Sequence, residues 1–144
     1  MIRAAREDAA DPERPAIADP QATGIEIPTT ELAVIAAHAI DAKQGTDIVV
    51  LDMGDLLGIV DLFVIGSGTS KRQVRTMIEE VHLRLGQSGR KPLRTEGLDT
   101  GEWVLADYGD LVVHVFQTGA RDFYALDRLW GDAPRLDWAP DAPD

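Results

Sequence analysis

Apolar positions along this chain follow helical and strand periods in turn. Leu32, Ile35, Ala36, Ala39 and Ile40 recur at helical spacing behind Pro28, with Thr29 or Thr30 as the expected cap and Gly45 as the stop. Residues 47–53 contain the continuous run Ile48-Val49-Val50-Leu51, of strand length, and residues 60–65 form a second strand broken only by Asp61. A loop, Gly66-Ser67-Gly68-Thr69-Ser70, leads into a second helix capped by Ser70. Val74, Met77, Ile78, Val81 and Leu85 line one face of that helix, and Gly86 and Gly89 close it. Residues 92–95, 102–108 and 111–116 read as three more strands, the last two meeting at a tight Tyr108-Gly109-Asp110 turn. A final helix is expected over 120–130, with Phe123, Leu126, Leu129 and Trp130 apolar.

The order α-β-β-α-β-β-β-α predicts an α/β fold, a five-stranded mixed sheet flanked by helices on both faces. The second strand, central helix and third strand allow a parallel crossover, whereas the short turn forces the last two strands antiparallel. Near-continuous apolar runs at 48–51 and 111–116 mark strands covered on both sides. Residues 1–28 and 131–144 are acidic and rich in proline, with no persistent apolar period. They read as tails, the first of them disordered, around one compact domain at 29–130.

With 14 basic and 25 acidic side chains the formal net charge is −11. Such a charge disfavours broad, sequence-blind attachment to phosphates, so little or no direct nucleic acid binding is expected, while docking onto a basic protein stays open and its encounter would be faster. The chain has no cysteine, which removes disulfides and thiolate metal sites and fits a reducing compartment. No stretch approaches the roughly 18 apolar residues of a spanning helix, and the first residues lack the apolar segment of a secretory signal. A soluble cytoplasmic protein is the expectation.

Candidate chemistry concentrates between Glu96 and Phe116. Gly97 and Gly101 bracket a polar loop, and the strands beyond it would hold Trp103, Tyr108 and His114 in place. The stretch has no histidine pair and no complete nucleophile–base set, which favours a surface that binds over one that reacts. Trp103 is the expected anchor of such a surface, because buried aromatics dominate binding hot spots. Tyr108 would offer ring and hydroxyl, Asp110 would meet a lysine, and Arg94, Thr95 and Glu96 would complete a polar rim. The plainer roles are a core tryptophan, a tyrosine packing the turn, a solvated Asp110 and, for His114, a neutral hydrogen-bonded core imidazole. Ser67, Gly68, Thr69 and Ser70 form a candidate anion-binding turn between strand and helix. Nucleotidyltransferases open their site with a Gly-Ser pair at such a turn and then need carboxylates for Mg²⁺. Here Lys71, Arg72, Gln73, Val74 and Arg75 follow, with no carboxylate before Glu79, and no Gly-Lys-Ser/Thr ends the loop. His38, His82 and His114 lack metal-ligand spacing, so no metal and no cofactor is expected.

Four segments resemble a known family in the right order: D-I-V-V-L-D-M at 47–53, V-D-L-F-V-I-G-S-G-T-S-K-R-Q at 60–73, E-G-L-D-T-G-E-W-V-L-A-D-Y-G-D-L-V-V-H-V-F at 96–116 and R-D-F-Y-A-L-D-R-L-W at 121–130. They are similar to the ribosomal silencing factors, also called Iojap-like proteins, over about Glu31 to Pro134. Leu62 departs from the pattern, standing where the family usually has an aromatic residue. The resemblance implies a nucleotidyltransferase-like core stripped of its catalytic residues, with no enzymatic activity. It also implies a translational repressor, homodimeric when free, that binds ribosomal protein number fourteen of the large ribosomal subunit. Covering that intersubunit face would sterically block joining of the small subunit when nutrients are scarce. One alternative is a nucleotide-binding or nucleotidyltransferase-like enzyme using the Gly66–Ser70 loop; another is a homodimeric scaffold acting on a different protein.

Overall fold

The computed structural model of the chain describes residues 27–54, 58, 60–124 and 131–139, the side chains of 122–124 excepted. Helix α1 (Thr29–Ala42) begins directly after Pro28, whose carbonyl accepts the Glu31 and Leu32 amides. Pro28 itself occupies the cap position and its ring has no hydrogen-bond acceptor, so the helix has no side-chain cap and the expected Thr29 or Thr30 cap is corrected. Strands β1 (Thr46–Asp52) and β2 (Leu62–Gly68) precede α2 (Lys71–Gln87). Ser70 caps α2 as its position predicts, its Oγ accepting the Gln73 amide at 3.1 Å. Strands β3 (Arg94–Glu96), β4 (Trp103–Asp107) and β5 (Leu111–Gln117) follow, then α3 (Thr118–Tyr124) and β6 (Arg135–Leu136). Leu126, Leu129 and Trp130 of the expected last helix lie outside the described residues.

The strands form one mixed sheet in the order β3-β4-β5-β2-β1-β6, with β2 and β5 parallel and the other neighbours antiparallel. Three expectations change. The sheet has six strands instead of five, because Val50 pairs with Leu136 and Leu51 with Arg135, in a segment that reads as tail from composition. Trp138 then docks beyond the strand, its Nε1–H donating to the Ile48 carbonyl at 3.0 Å. Strands β2 and β3 run the same way, yet β5 and β4 lie between them. Strand β5 is buried at six of its seven positions and takes the central place, whereas three-residue β3, exposed at both ends, is suited only to an edge. Finally, Gly66-Ser67-Gly68 is no loop but the buried end of β2, opposite Val115, Phe116 and Gln117. Side chains at Gly66 and Gly68 would collide with Ile40 and Met77, so the glycines let α1 and α2 lie close on the sheet.

Strand alternation sorts the core into two layers. Val50, Val64, Val104, Ala106, Val113 and Val115 face α1 and α2, against Leu32, Ala36, Ile40, Met77, Ile78 and Val81. Leu51, Phe63, Ile65, Val112 and Phe116 point the other way, towards Ala120 of α3, Ala133, and the half-buried Trp103 and Leu105. Helices thus lie on both faces, and the second face is where the candidate residues divide.

Candidate functional site

Residues directly opposite on paired strands share a face. Arg94 pairs with Asp107 and Glu96 with Leu105, while Trp103 and Leu105 pair with Phe116 and His114 of β5. Arg94, Glu96, Asp107, Leu105 and Trp103 therefore form one surface on the side away from α1 and α2. Arg94 Nε lies 3.1 Å from a Glu96 oxygen and 3.5 Å from one of Asp107, with Arg94 and Glu96 63% and 61% exposed. Ion pairs this exposed add little to stability and re-pair at small cost.

Trp103 is the largest side chain of this surface. Its ring stacks on Phe116 with centroids 5.1 Å apart, and its Nε1–H donates to His114 Nδ1 at 3.1 Å. Acceptance at Nδ1 places the imidazole proton on Nε2, which has no hydrogen-bond partner among the described residues. Burial lowers the His114 pKa to about 4, so the ring is neutral at pH 7, as the strand pattern predicts. The indole is thereby fixed by its neighbours and partly buried, its ring packed on the second core layer.

The loop before β4 sets this geometry. Gly97 has φ +92°, and a Cβ there would run into the Trp103 carbonyl oxygen; Gly101 has φ +69°, with Lys71 filling the space of its missing side chain. Gln117 ties the loop to β5, its amide donating to the Glu102 carbonyl at 2.8 Å and its Nε2 to Gly101 at 3.0 Å.

Other expected site residues fall elsewhere. Tyr108 is only 3% exposed and lies beneath the helices, because alternation along β4 places it with Val104 and Ala106. The expectation that it offers ring and hydroxyl to a partner is corrected. Its ring meets His82 edge-on at 6.3 Å, and its hydroxyl is without a partner among the described residues. Burial pushes the phenol up to about 12 against the opposing pull of Arg90. Thr95 also turns to the helix side, its Oγ1 3.3 Å from His82 Nε2, and so leaves the rim. Asp110 joins three segments: Oδ1 accepts from Arg90 Nη2 and Oδ2 from the Thr29 hydroxyl, both at 2.8 Å, and its carbonyl accepts the Asp61 and Leu62 amides.

The expected anion turn is already filled. Ser67 is fully buried, and its Oγ accepts from Arg121 Nη1 at 2.7 Å. The Gly68 carbonyl accepts from the Thr118 hydroxyl at 3.2 Å. Thr69 gives both its amide and its hydroxyl to Gln73 Oε1, while Ser70 receives the Gln73 amide. The cradle drawn from the sequence assumed a loop; strand pairing takes Gly66 to Gly68, and Gln73 engages Thr69 and Ser70. Among the described residues no group of three or more His, Cys, Asp or Glu side chains is placed to hold a metal ion. None of the described helices is long and apolar enough to cross a membrane.

Residues 26–144 match the family described as ribosomal silencing factor during starvation. This chain belongs to the ribosomal silencing factor family. It is 43% identical over 103 residues to a Bacillus subtilis protein named ribosomal silencing factor RsfS, a match covering 72% of this chain and 87% of that one. A crystal structure of a Chromobacterium violaceum protein superposes with a TM-score of 0.71 at 33% identity, covering 82% of this chain and 98% of its own. A Bacillus halodurans structure gives 0.66 at 35% identity, over 75% and 98%. The matched residues include β6 and Trp138. Leu105 and Asp107 are the members of this surface that the sequence analysis does not single out, although the i, i+2 spacing from Trp103 points to both.

Proposed function

We propose that this silencing factor docks the Trp103 surface onto ribosomal protein number fourteen, on the intersubunit side of the large ribosomal subunit, and so represses translation by keeping the small subunit away. The supporting observation is Trp103 itself. A partly buried indole, stacked on Phe116 and held by His114, is pre-organised to present its accessible part to a partner at little cost in side-chain entropy. Arg94, Glu96 and Asp107 supply the rim, which governs encounter and register more than lifetime. Leu105 extends the apolar centre.

No bond is made or broken in this mechanism. A domain of about 100 residues has a radius of gyration near 13 Å, and so is roughly 30 Å across. An obstacle of that size on a joining face prevents contacts that require approach to within a few ångströms. The chain forms a homodimer when free of the ribosome and acts in the cytoplasm. Sedimentation of purified subunits with and without the full chain tests the proposal. Added protein should convert associated ribosomes into free subunits, with the chain travelling with the large one. Unhindered reassociation at saturating protein would overturn it.

A further inference from the structure

Charge is unevenly placed along this acidic chain. Residues 71–96 hold seven of the 14 basic side chains against three carboxylates, a net +4, while the rest of the chain stands at −15. The cations gather at the start of α2, where Lys71, Arg72 and Arg75 are exposed and the first turn contains no acidic residue. Positive side chains there oppose the helix macrodipole, so the placement works against helix stability. Lys43, Arg84, Arg90 and Arg94 each have a carboxylate partner; Lys71 and Arg72 have none among the described residues. Arg75 gives Nε and Nη2 to the Leu98 carbonyl, at 3.1 and 2.8 Å, and the stem of Lys71 packs on Gly101. These bonds hold the cationic surface against the 97–101 loop, which leads straight into Trp103.

We infer that the Lys71–Arg72–Arg75 surface docks on the phosphate backbone of ribosomal RNA beside the protein partner, an inference that rests on the large-subunit reading above. Phosphodiester oxygens suit it: the guanidinium of Arg72 can fork across two of them and Lys71 adds a mobile point charge. A chain whose total charge disfavours nucleic acid thus keeps one local contact with it.

The test uses the full chain with Lys71→Gln and Arg72→Gln together, leaving Arg75 and its bonds in place. Binding is measured to purified large subunits and to isolated ribosomal protein number fourteen, at salt from about 50 to 200 mM. The variant should bind the isolated protein within about twofold of the unmodified chain. On subunits its log–log salt slope should be shallower by about 1.5, so that about tenfold of the salt sensitivity across that range disappears. Its thermal midpoint should be no lower, since two cations have left the positive end of a helix dipole. An unchanged subunit affinity and slope, or an equal loss on the isolated protein, would overturn the inference. A photo-crosslinking residue at position 72 gives a second readout: adducts with ribosomal RNA support the contact, and adducts with ribosomal proteins alone refute it. If the unmodified chain fails to bind subunits at all, the docking reading falls first and this inference with it.

Discussion

Replacing Trp103 by Ala separates what the indole does for the fold from what it does for a partner. Truncating a fully buried tryptophan costs about 3–5 kcal/mol. Trp103 is more than half buried against the second core layer, so its packing contributes about two-thirds of that, roughly 2–3 kcal/mol. The hydrogen bond to His114 Nδ1 adds about 1 kcal/mol, because water can reach the imidazole once the indole is gone. The sum, about 3–4 kcal/mol, should lower the melting temperature by roughly 15–20 °C. A domain with the usual 5–15 kcal/mol of stability stays folded at room temperature after that loss. Large-subunit binding should weaken by at least about 2 kcal/mol, or thirtyfold. Melting by circular dichroism and titration against purified subunits, both on the same preparation, give the two numbers. Trp103→Phe is the control: it keeps a ring on Phe116, loses the N–H bond, and should cost about 1 kcal/mol of stability. A folded Trp103→Ala protein of unchanged affinity would refute the anchor role, and a protein unfolded at room temperature would make the indole a core residue.

Tyr108→Phe should be neutral or stabilising by up to about 1 kcal/mol in urea titrations, and leave subunit binding unchanged, because it deletes a buried hydroxyl without a hydrogen-bond partner among the described residues; a loss of binding would return Tyr108 to the interface. His114 titrates near 4 when folded, against 6.5 as its ordinary value. Between those limits the unfolded chain binds a proton that the native one does not, so stability is full above pH 6.5 and falls as the pH drops towards 4, by about 3 kcal/mol in all. His114→Gln should lack that part of the slope, and parallel pH profiles for the two proteins would contradict the assignment. Asp110→Asn should cost about 1 kcal/mol of stability by weakening the partly buried Arg90 pair, with subunit affinity within about twofold; an unchanged melting temperature with reduced affinity would make Asp110 a contact residue.

How legible each element was depended on how local its cause is. Helix α2 followed from the five residues of its apolar face and from Ser70, all within one element. The β4–β5 hairpin followed from its short turn. Strand β6 did not, because two residues between Pro134 and Asp137 have no period of their own and become a strand only when β1 offers an open edge. The Gly66–Gly68 stretch misled for the opposite reason: its glycines read as a loop locally, while their use is to admit Ile40 and Met77.

The candidate site divides in the same way. Local chemistry, together with the family resemblance, singled out Trp103 as an anchor, with Arg94 and Glu96 as its polar neighbours on the next segment. It equally singled out Tyr108, Thr95 and Ser67, and nothing in their neighbours along the chain distinguishes them. The pairing of β3, β4 and β5 decided which of these meet solvent, since alternation assigns faces only once the sheet has an inside. Residue type and spacing therefore determined which side chains were candidates; long-range pairing, which one stretch of chain cannot encode by itself, determined which of them a partner can touch.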